Sequence, residues 1–410
     1  MIGEYFSGLA HDIEGKLAAE PGAASARKIF ALEVARLGVR LYSPGRPVAW
    51  CGVLAPFDLL NAVGVTSCFA EFVGAMLAGM GAASAPLEGA EQAGYAADTC
   101  AYHRAVVGAA MQGMMPVPDF LVATTTPCTG GLAAIENLAR LFRRDLLVLQ
   151  IPRAETEAGV RFLAGQLERL ARFAAGRAGA QLDPQCVAAA VDLSNVTRAL
   201  MVEIYDLARR VPSPVSNRDL ANFGIVVPLL MGTQAGVDVA RATRDELAAR
   251  ARDGKSGVPG ERFRLLWVQN RIQFPNPLLR LLEDEYRAVI VVDELNDVTW
   301  EPIDPADPFP GMARRAIGLP LNGPAERRVA RLRQLATEYR VDGIIQPCHW
   351  GCRQGTGIRG LVQRGFQELG IPVLNLEVDC IDARSFSEGQ LRTRLEAFLE
   401  LIAGRPRVRA

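Results

Sequence analysis

The chain reads as an α/β protein of two Rossmann-like lobes, each with a four-stranded parallel sheet, joined to N-terminal and central helical segments. Three observations lead there. Short apolar runs bounded by Gly, Pro and Thr alternate with stretches of helical apolar spacing, the grammar of a doubly wound parallel sheet. These runs fall into two groups of four, separated by a long stretch that is helical throughout. And 410 residues, half of them hydrophobic, exceed what one ordinary core holds.

Residues 1–44 carry helical spacing through Ile29, Phe30, Leu32, Val34, Ala35 and Leu37, and Pro44-Gly45-Arg46-Pro47 ends it, giving an N-terminal helical segment over 1–46. A first α/β lobe spans 47–155. Its strands are Val48–Leu54, Val65–Glu71, Phe120–Thr126 and Leu146–Ile151, with a helix opened by Pro56 and a Gly/Ala-rich helix from Phe72. Residues 156–260 form a helical connector in two long segments split near Gly176–Pro184, broken by Pro212-Ser213-Pro214 and helical again from Leu229 to Arg250. The second lobe, 261–410, has strands at Phe263–Val268, Val289–Val292, Gly343–Gln346 and Val373–Leu376, a Pro-rich loop from Glu301 to Pro310, and helices over Ala325–Tyr339 and Glu388–Ile402. Two lobes of similar layout suggest a pseudo-repeat with a cleft between them.

Composition removes several function classes. The 45 basic and 45 acidic residues cancel, so no field of one sign recruits nucleic acid or an anionic membrane. The N-terminus lacks an apolar signal core and no apolar run reaches the roughly 20 residues of a membrane span; a soluble, cytoplasmic protein is expected. No Gly-Lys-Ser/Thr phosphate loop and no G-x-G-x-x-G follow a strand, so neither a nucleotide nor a nicotinamide site is supported. Eight cysteines are too few for a disulfide scaffold and three histidines too few for a histidine-built metal site.

The cysteines sit where chemistry would be. Cys100 precedes the helical pattern Ala105, Val106, Ala109, Ala110. Cys128 follows Phe120–Thr126, and Cys348 and Cys352 follow Gly343–Gln346, all beyond strand ends where open α/β sheets bind ligands. Thiols gathered from distant parts of one chain could hold an iron–sulfur cluster; as a plain alternative, each is a small buried hydrophobe. Burial is the reading for Cys186, and for Cys51, Cys68 and Cys380 within strand-like segments. Gly351 to Gly357 reads either as backbone approaching a cluster or as a strand-to-helix turn that needs glycine. Glu71 and the pair Asp293-Glu294 are carboxylates at sheet ends, each a general base if desolvated or simply a helix cap. His349 is a donor to a cluster or substrate oxygen, or a packed loop histidine.

Taken in order, Cys100 with its arginine-bearing helix, Pro118-Asp119-Phe120-Leu121-Val122-Ala123-Thr124-Thr125-Thr126-Pro127-Cys128, His349-Trp350-Gly351-Cys352 and Thr393-Arg394-Leu395-Glu396-Ala397-Phe398-Leu399-Glu400 resemble the iron–sulfur subunits of the 2-hydroxyacyl-CoA dehydratase family, which includes benzoyl-CoA reductase subunits and double-cubane-cluster proteins. The resemblance runs from Pro47 to the final helix. It implies a [4Fe–4S] cluster on Cys100, Cys128 and Cys352, with Cys348 as an extra thiol that leaves the third ligand open between Cys348 and Cys352. It further implies one-electron, ketyl-type reduction of an acyl-CoA thioester, leading to dehydration or ring reduction; Glu71 and His349, read from their positions above, are the catalytic candidates. The partners implied are a homologous second subunit or a second copy, and an ATP-dependent iron–sulfur activator. Arg104, Arg353 and Arg359 are candidate anchors for the CoA anion. A double-cubane [8Fe–9S] reductase, drawing on Cys51, Cys68 and Cys348, and a non-catalytic partner subunit are the alternatives.

Overall fold

A computed structural model describes residues 2–20, 25–43 and 45–405. Helices α1 (Ile2–Ala19) and α2 (Ala26–Tyr42) pack against each other as a hairpin. The single helix expected over 1–44 is therefore two, with Ser25 capping the second through its side chain. Met1, residues 21–24 and Pro44 lie outside the described residues.

The first sheet comprises β1 (Val48–Cys51), β2 (Thr66–Phe69), β3 (Phe120–Thr124) and β4 (Asp145–Leu149), all parallel, in the order β2-β1-β3-β4. Its helices are α3 (Phe57–Ala62), α4 (Glu71–Gly79), α5 (Ser84–Gln92), α6 (Ala101–Met111) and α7 (Thr129–Phe142). Strands β1, β2 and β3 are buried at every position, which is why they read as unbroken apolar runs rather than alternating ones.

The connector holds α8 (Glu157–Arg177), α9 (Pro184–Ala208), the short α10 (Phe223–Val226) and α11 (Gln234–Arg252). Helix α11 starts later than expected: residues Val227–Leu230 form a tighter 3-10 turn and Thr233 caps the helix. Cys186, expected to be buried, is exposed. It lies in the first turn of α9, where its Sγ meets the capping Asp183 rather than the core.

The second sheet repeats the first: β5 (Phe263–Trp267), β6 (Ala288–Asp293), β7 (Gly343–Pro347) and β8 (Val373–Leu376), parallel, in the order β6-β5-β7-β8. The helices here are α12 (Leu278–Arg280), α13 (Pro308–Gly318), α14 (Ala325–Glu338), α15 (Arg353–Gln367) and α16 (Glu388–Ala403). The expected loop up to Pro310 gives way to α13, with Pro308 in its first turn, where a missing N–H costs nothing. Alternation along β5 sends Leu265 and Trp267 to one face, against Leu395 and Phe398 of α16, and Leu266 and Val268 to the other, against the connector. On the Leu266 face Arg264 is buried, yet satisfied. Its guanidinium pairs with Glu261 at 2.6 Å and donates to the carbonyls of Arg210 and Tyr339 at 3.0 and 2.8 Å, tying the end of α9 to the sheet. No helix among the described residues is long and apolar enough to cross a membrane.

Helices α5 and α6 meet at Gly108, where a Cβ would lie 1.8 Å from the Pro86 carbonyl oxygen. Gly108→Ala is expected to lower stability by about 1–3 kcal/mol through overpacking. Gly360→Ala, on α15 with nothing within 4 Å, should raise it by up to about 1 kcal/mol through helix propensity. Chemical denaturation of the two variants checks the pair.

Candidate functional site

Both sheets share a topological switch point, between β1 and β3 and between β5 and β7, where crossovers leave in opposite directions. The carboxyl ends of strands from both sheets line one cavity of about 790 Å³, to which α1, α2 and the connector also contribute. That volume suits a small-molecule ligand.

Cys100, Cys128 and Cys352 all line it, and Cys51, Cys68, Cys186, Cys348 and Cys380 do not. Each of the three is the N-cap residue of a helix: Cys100 of α6, Cys128 of α7, Cys352 of α15. Sulfur at that position faces free backbone N–H groups and the positive end of the helix dipole, which favours a thiolate. Cys128 Sγ accepts the Gly131 N–H at 3.3 Å. Cys128 and Cys352 are related by the pseudo-repeat, since each follows the strand beside its sheet's switch point.

What brings the lobes together is Gly351. At φ +74° it is in the left-handed region, and a Cβ on it would fall 2.4 Å from the Cys100 backbone nitrogen. The β7–α15 turn thus lies directly on the start of α6. Cys348, in the same turn, points elsewhere: its Sγ contacts the Gln346 carbonyl and Asn375 Oδ1. Geometry separates the two thiols that the sequence left as alternatives.

Burial pushes all three thiols up, Cys128 to about 11; Cys100 is raised further by Cys352 and Cys128, and Cys128 by Glu71 and Cys352. Backbone N–H groups of His103, Gly131 and Gly355 oppose this. A positive charge among them is what would let three such thiols ionise together. Small residues leave room beside the sulfurs: a Cβ on Gly131 would stand 3.5 Å from Cys128 Sγ, and one on Gly355 3.6 Å from Cys352 Sγ. Among the described residues no group of three His, Cys, Asp or Glu side chains suits a single metal ion; a cubane, presenting separate iron corners, takes its sulfurs farther apart. The donor set, its burial and the space beside it fit such a cluster.

His349 is buried beside this set. Its Nδ1 accepts the Cys380 N–H at 3.0 Å, so the ring proton sits on Nε2, which donates to Cys100 Sγ at 3.3 Å. Burial holds the imidazole down at about 3, hence neutral. Glu71 opens α4, with Oε1 3.5 Å from His103 Nε2 and Oε2 buried without a partner. His103 was not singled out from the sequence; its signal was the spacing Cys100–His103, one helical turn, which puts both on one face. The other sheet-end carboxylates are engaged: Asp293 holds Arg271 at 2.8 Å and Glu294 holds Arg328 at 2.7 Å.

Of the three arginines expected as anchors, Arg104 is a correction. Only 2% of its side chain is exposed, and it pairs with Glu91 and approaches Asp382 at 3.8 Å. It sits on the face of α6 turned to the interior, where a cation must be paired. Arg359 pairs with Glu377 at 2.7 Å and does not line the cavity. Arg353 does line it, 80% exposed, with Asp98 only at 4.0 Å.

A family profile described as 2-hydroxyglutaryl-CoA dehydratase, D-component, matches residues 53–402. The chain is 23% identical over 375 residues to the (R)-phenyllactyl-CoA dehydratase alpha subunit of Clostridium sporogenes, covering 88% of this chain and 91% of that one. It is 25% identical over 382 residues to one of the subunits of the benzoyl-CoA reductase of Thauera aromatica, covering 84% and 85%. With the (R)-2-hydroxyisocaproyl-CoA dehydratase alpha subunit of Clostridioides difficile the identity is 22% over 375 residues, covering 89% and 92%.

Arg104→Ala should cost about 2–3 kcal/mol of stability, because it empties a buried side-chain site and leaves the Thr99 carbonyl without its donor, Glu91 and Asp382 still being held by Arg384, whereas Arg353→Ala should change it by less than about 0.5 kcal/mol. Denaturant titration of both variants distinguishes the structural arginine from the exposed one.

Proposed function

Since the chain belongs to the 2-hydroxyglutaryl-CoA dehydratase D-component family, we propose that it is the iron–sulfur subunit of a 2-hydroxyacyl-CoA dehydratase-type enzyme. The observation that carries this reading is the meeting of Cys100, Cys128 and Cys352, from both lobes and each at a helix N-terminus, on one cavity. These three would hold a [4Fe–4S] cluster, which when bound supplies one-electron chemistry at low potential. The cavity cysteines stop at three, which favours a single cubane over a double one.

The chain's own residues then have distinct tasks. The N-termini of α6, α7 and α15 stabilise negative charge on the sulfurs, and the His349 Nε2–H bond to Cys100 does the same from the protein side. Being neutral, His349 donates that bond without adding a charge that titrates at ordinary pH. Glu71 is the candidate general base: its Oε1 lies on the Gly131 corner beside Cys128 and is backed by His103, and its Oε2 has no partner. Phe57, Phe69, Phe72 and Met312 give this space apolar walls. Arg353 at the mouth suits the CoA phosphates. No nucleotide-binding motif accompanies this site, consistent with electrons arriving from a separate ATP-dependent activator, and with a homologous subunit or second copy completing the enzyme in the reducing interior of the cell.

Anaerobically purified protein is expected to carry about four iron atoms per chain. Cys128→Ser and Cys352→Ser should lose the iron and the charge-transfer absorption, while Cys348→Ser and Cys186→Ser keep both. Iron-free wild-type protein, or equal loss in all four variants, would sink the reading.

A further inference from the structure

Resting on that thioester reading, we infer that the acyl group admitted by this chain is apolar and carries no charge at its far end. Five arginines line the cavity among the described residues, and four are already held by carboxylates. Arg315 is bidentate on Asp58 at 2.7 and 2.9 Å, and Arg331 bidentate on Asp297 at 2.7 Å twice. Arg328 and Arg271 hold Glu294 and Asp293 at 2.7 and 2.8 Å. The fifth, Arg353, is 80% exposed, a place for the anionic end of the ligand that stays near solvent.

A second carboxylate carried within these walls would therefore find no guanidinium whose charge is unmatched, Arg271 Nη1 alone lacking a hydrogen-bond partner, and it would meet the side chain of Glu71, which lines the same space. A charge left unpaired away from water is strongly disfavoured. What the walls do offer is hydrocarbon: Phe57, Phe69, Phe72, Leu163, Met201 and Met312 all line the space and are buried. Phe69 stands edge-on to both Phe57 and Phe72, with ring centroids 6.4 and 5.9 Å apart. Such walls reward each added methylene with about fourfold in affinity, and the aromatic edges suit a ring as well as a chain.

The Asp58–Arg315 pair is the element that keeps this neutrality. Asp58 sits in the first turn of α3, fully buried, and Arg315 reaches it from α13. Removing the carboxylate would leave a guanidinium facing the cavity and should turn the preference toward an acidic acyl group.

The test is calorimetric titration of the full chain, anaerobic and with its metal and any co-purifying subunit, using thioesters that lack a hydroxyl. Free CoA, butyryl-CoA, hexanoyl-CoA, 3-phenylpropionyl-CoA and glutaryl-CoA form the series. Affinity should rise about fourfold per methylene from butyryl to hexanoyl, 3-phenylpropionyl-CoA should match hexanoyl-CoA or better it, and glutaryl-CoA should bind at least about a hundredfold more weakly than hexanoyl-CoA. In Asp58→Asn the glutaryl-to-hexanoyl ratio should move at least about tenfold toward glutaryl; should that variant not fold, the wild-type series decides alone. Glutaryl-CoA equal to or tighter than hexanoyl-CoA overturns the inference and leaves the thioester reading standing. Binding of every thioester no better than free CoA overturns both.

Discussion

The arrangement depends on one close backbone approach, that of Gly351 to the Thr99–Cys100 peptide. No side chain fits there, and the positive φ of Gly351 excludes most residues independently of space. Through this contact a turn of the second lobe becomes a wall of the first lobe's helix α6. Cys352 and Cys100, separated by most of the chain, then share one cavity, and His349 crosses the same junction to donate to Cys100. A larger residue at 351 would hold the lobes apart at the place where their sulfurs line the same cavity.

The repeat supplies the rest. Two sheets with the same strand order direct their carboxyl ends at one another, so each contributes a switch-point crevice to a common cavity. A thiol at a helix N-terminus gains from the dipole and from backbone N–H donors, yet it is also buried, which favours the neutral form. For Cys100, Cys128 and Cys352 burial outweighs these donors and favours the thiol form. The neutral His349 fits this balance, because it donates a hydrogen bond with no net charge.

The interior is also unusually rich in matched charge. Asp58 shows how the balance works: burial acts against its ionisation, but Arg315 outweighs burial and holds the carboxyl below the ordinary range. Such pairs add little net stability compared with an apolar core. Their effect here is on the cavity, whose walls carry four guanidinium groups already matched by carboxylates while Arg353 stands exposed at the mouth. Arg104, Arg264 and Arg271 follow the same rule outside the cavity or at its edge, each fixed to a carboxylate.

Much of this was legible in the chain. The strands appear as short apolar runs because parallel strands are covered on both faces, and Cys100, Cys128 and Cys352 stand just ahead of helical spacings, so the lobes and the thiols could be read in one dimension. The break between α1 and α2, the start of α13 at Pro308 and the exposure of Cys186 were harder, since local propensity does not say which segment a neighbour covers. Four matters belonged to the tertiary structure alone: which of Cys348 and Cys352 faces the cavity, that Arg104 is a buried strut, that His103 backs Glu71, and that four of the five lining arginines are taken. Each depends on partners tens or hundreds of residues away, and a sequence records a charge or a thiol without recording what stands across from it.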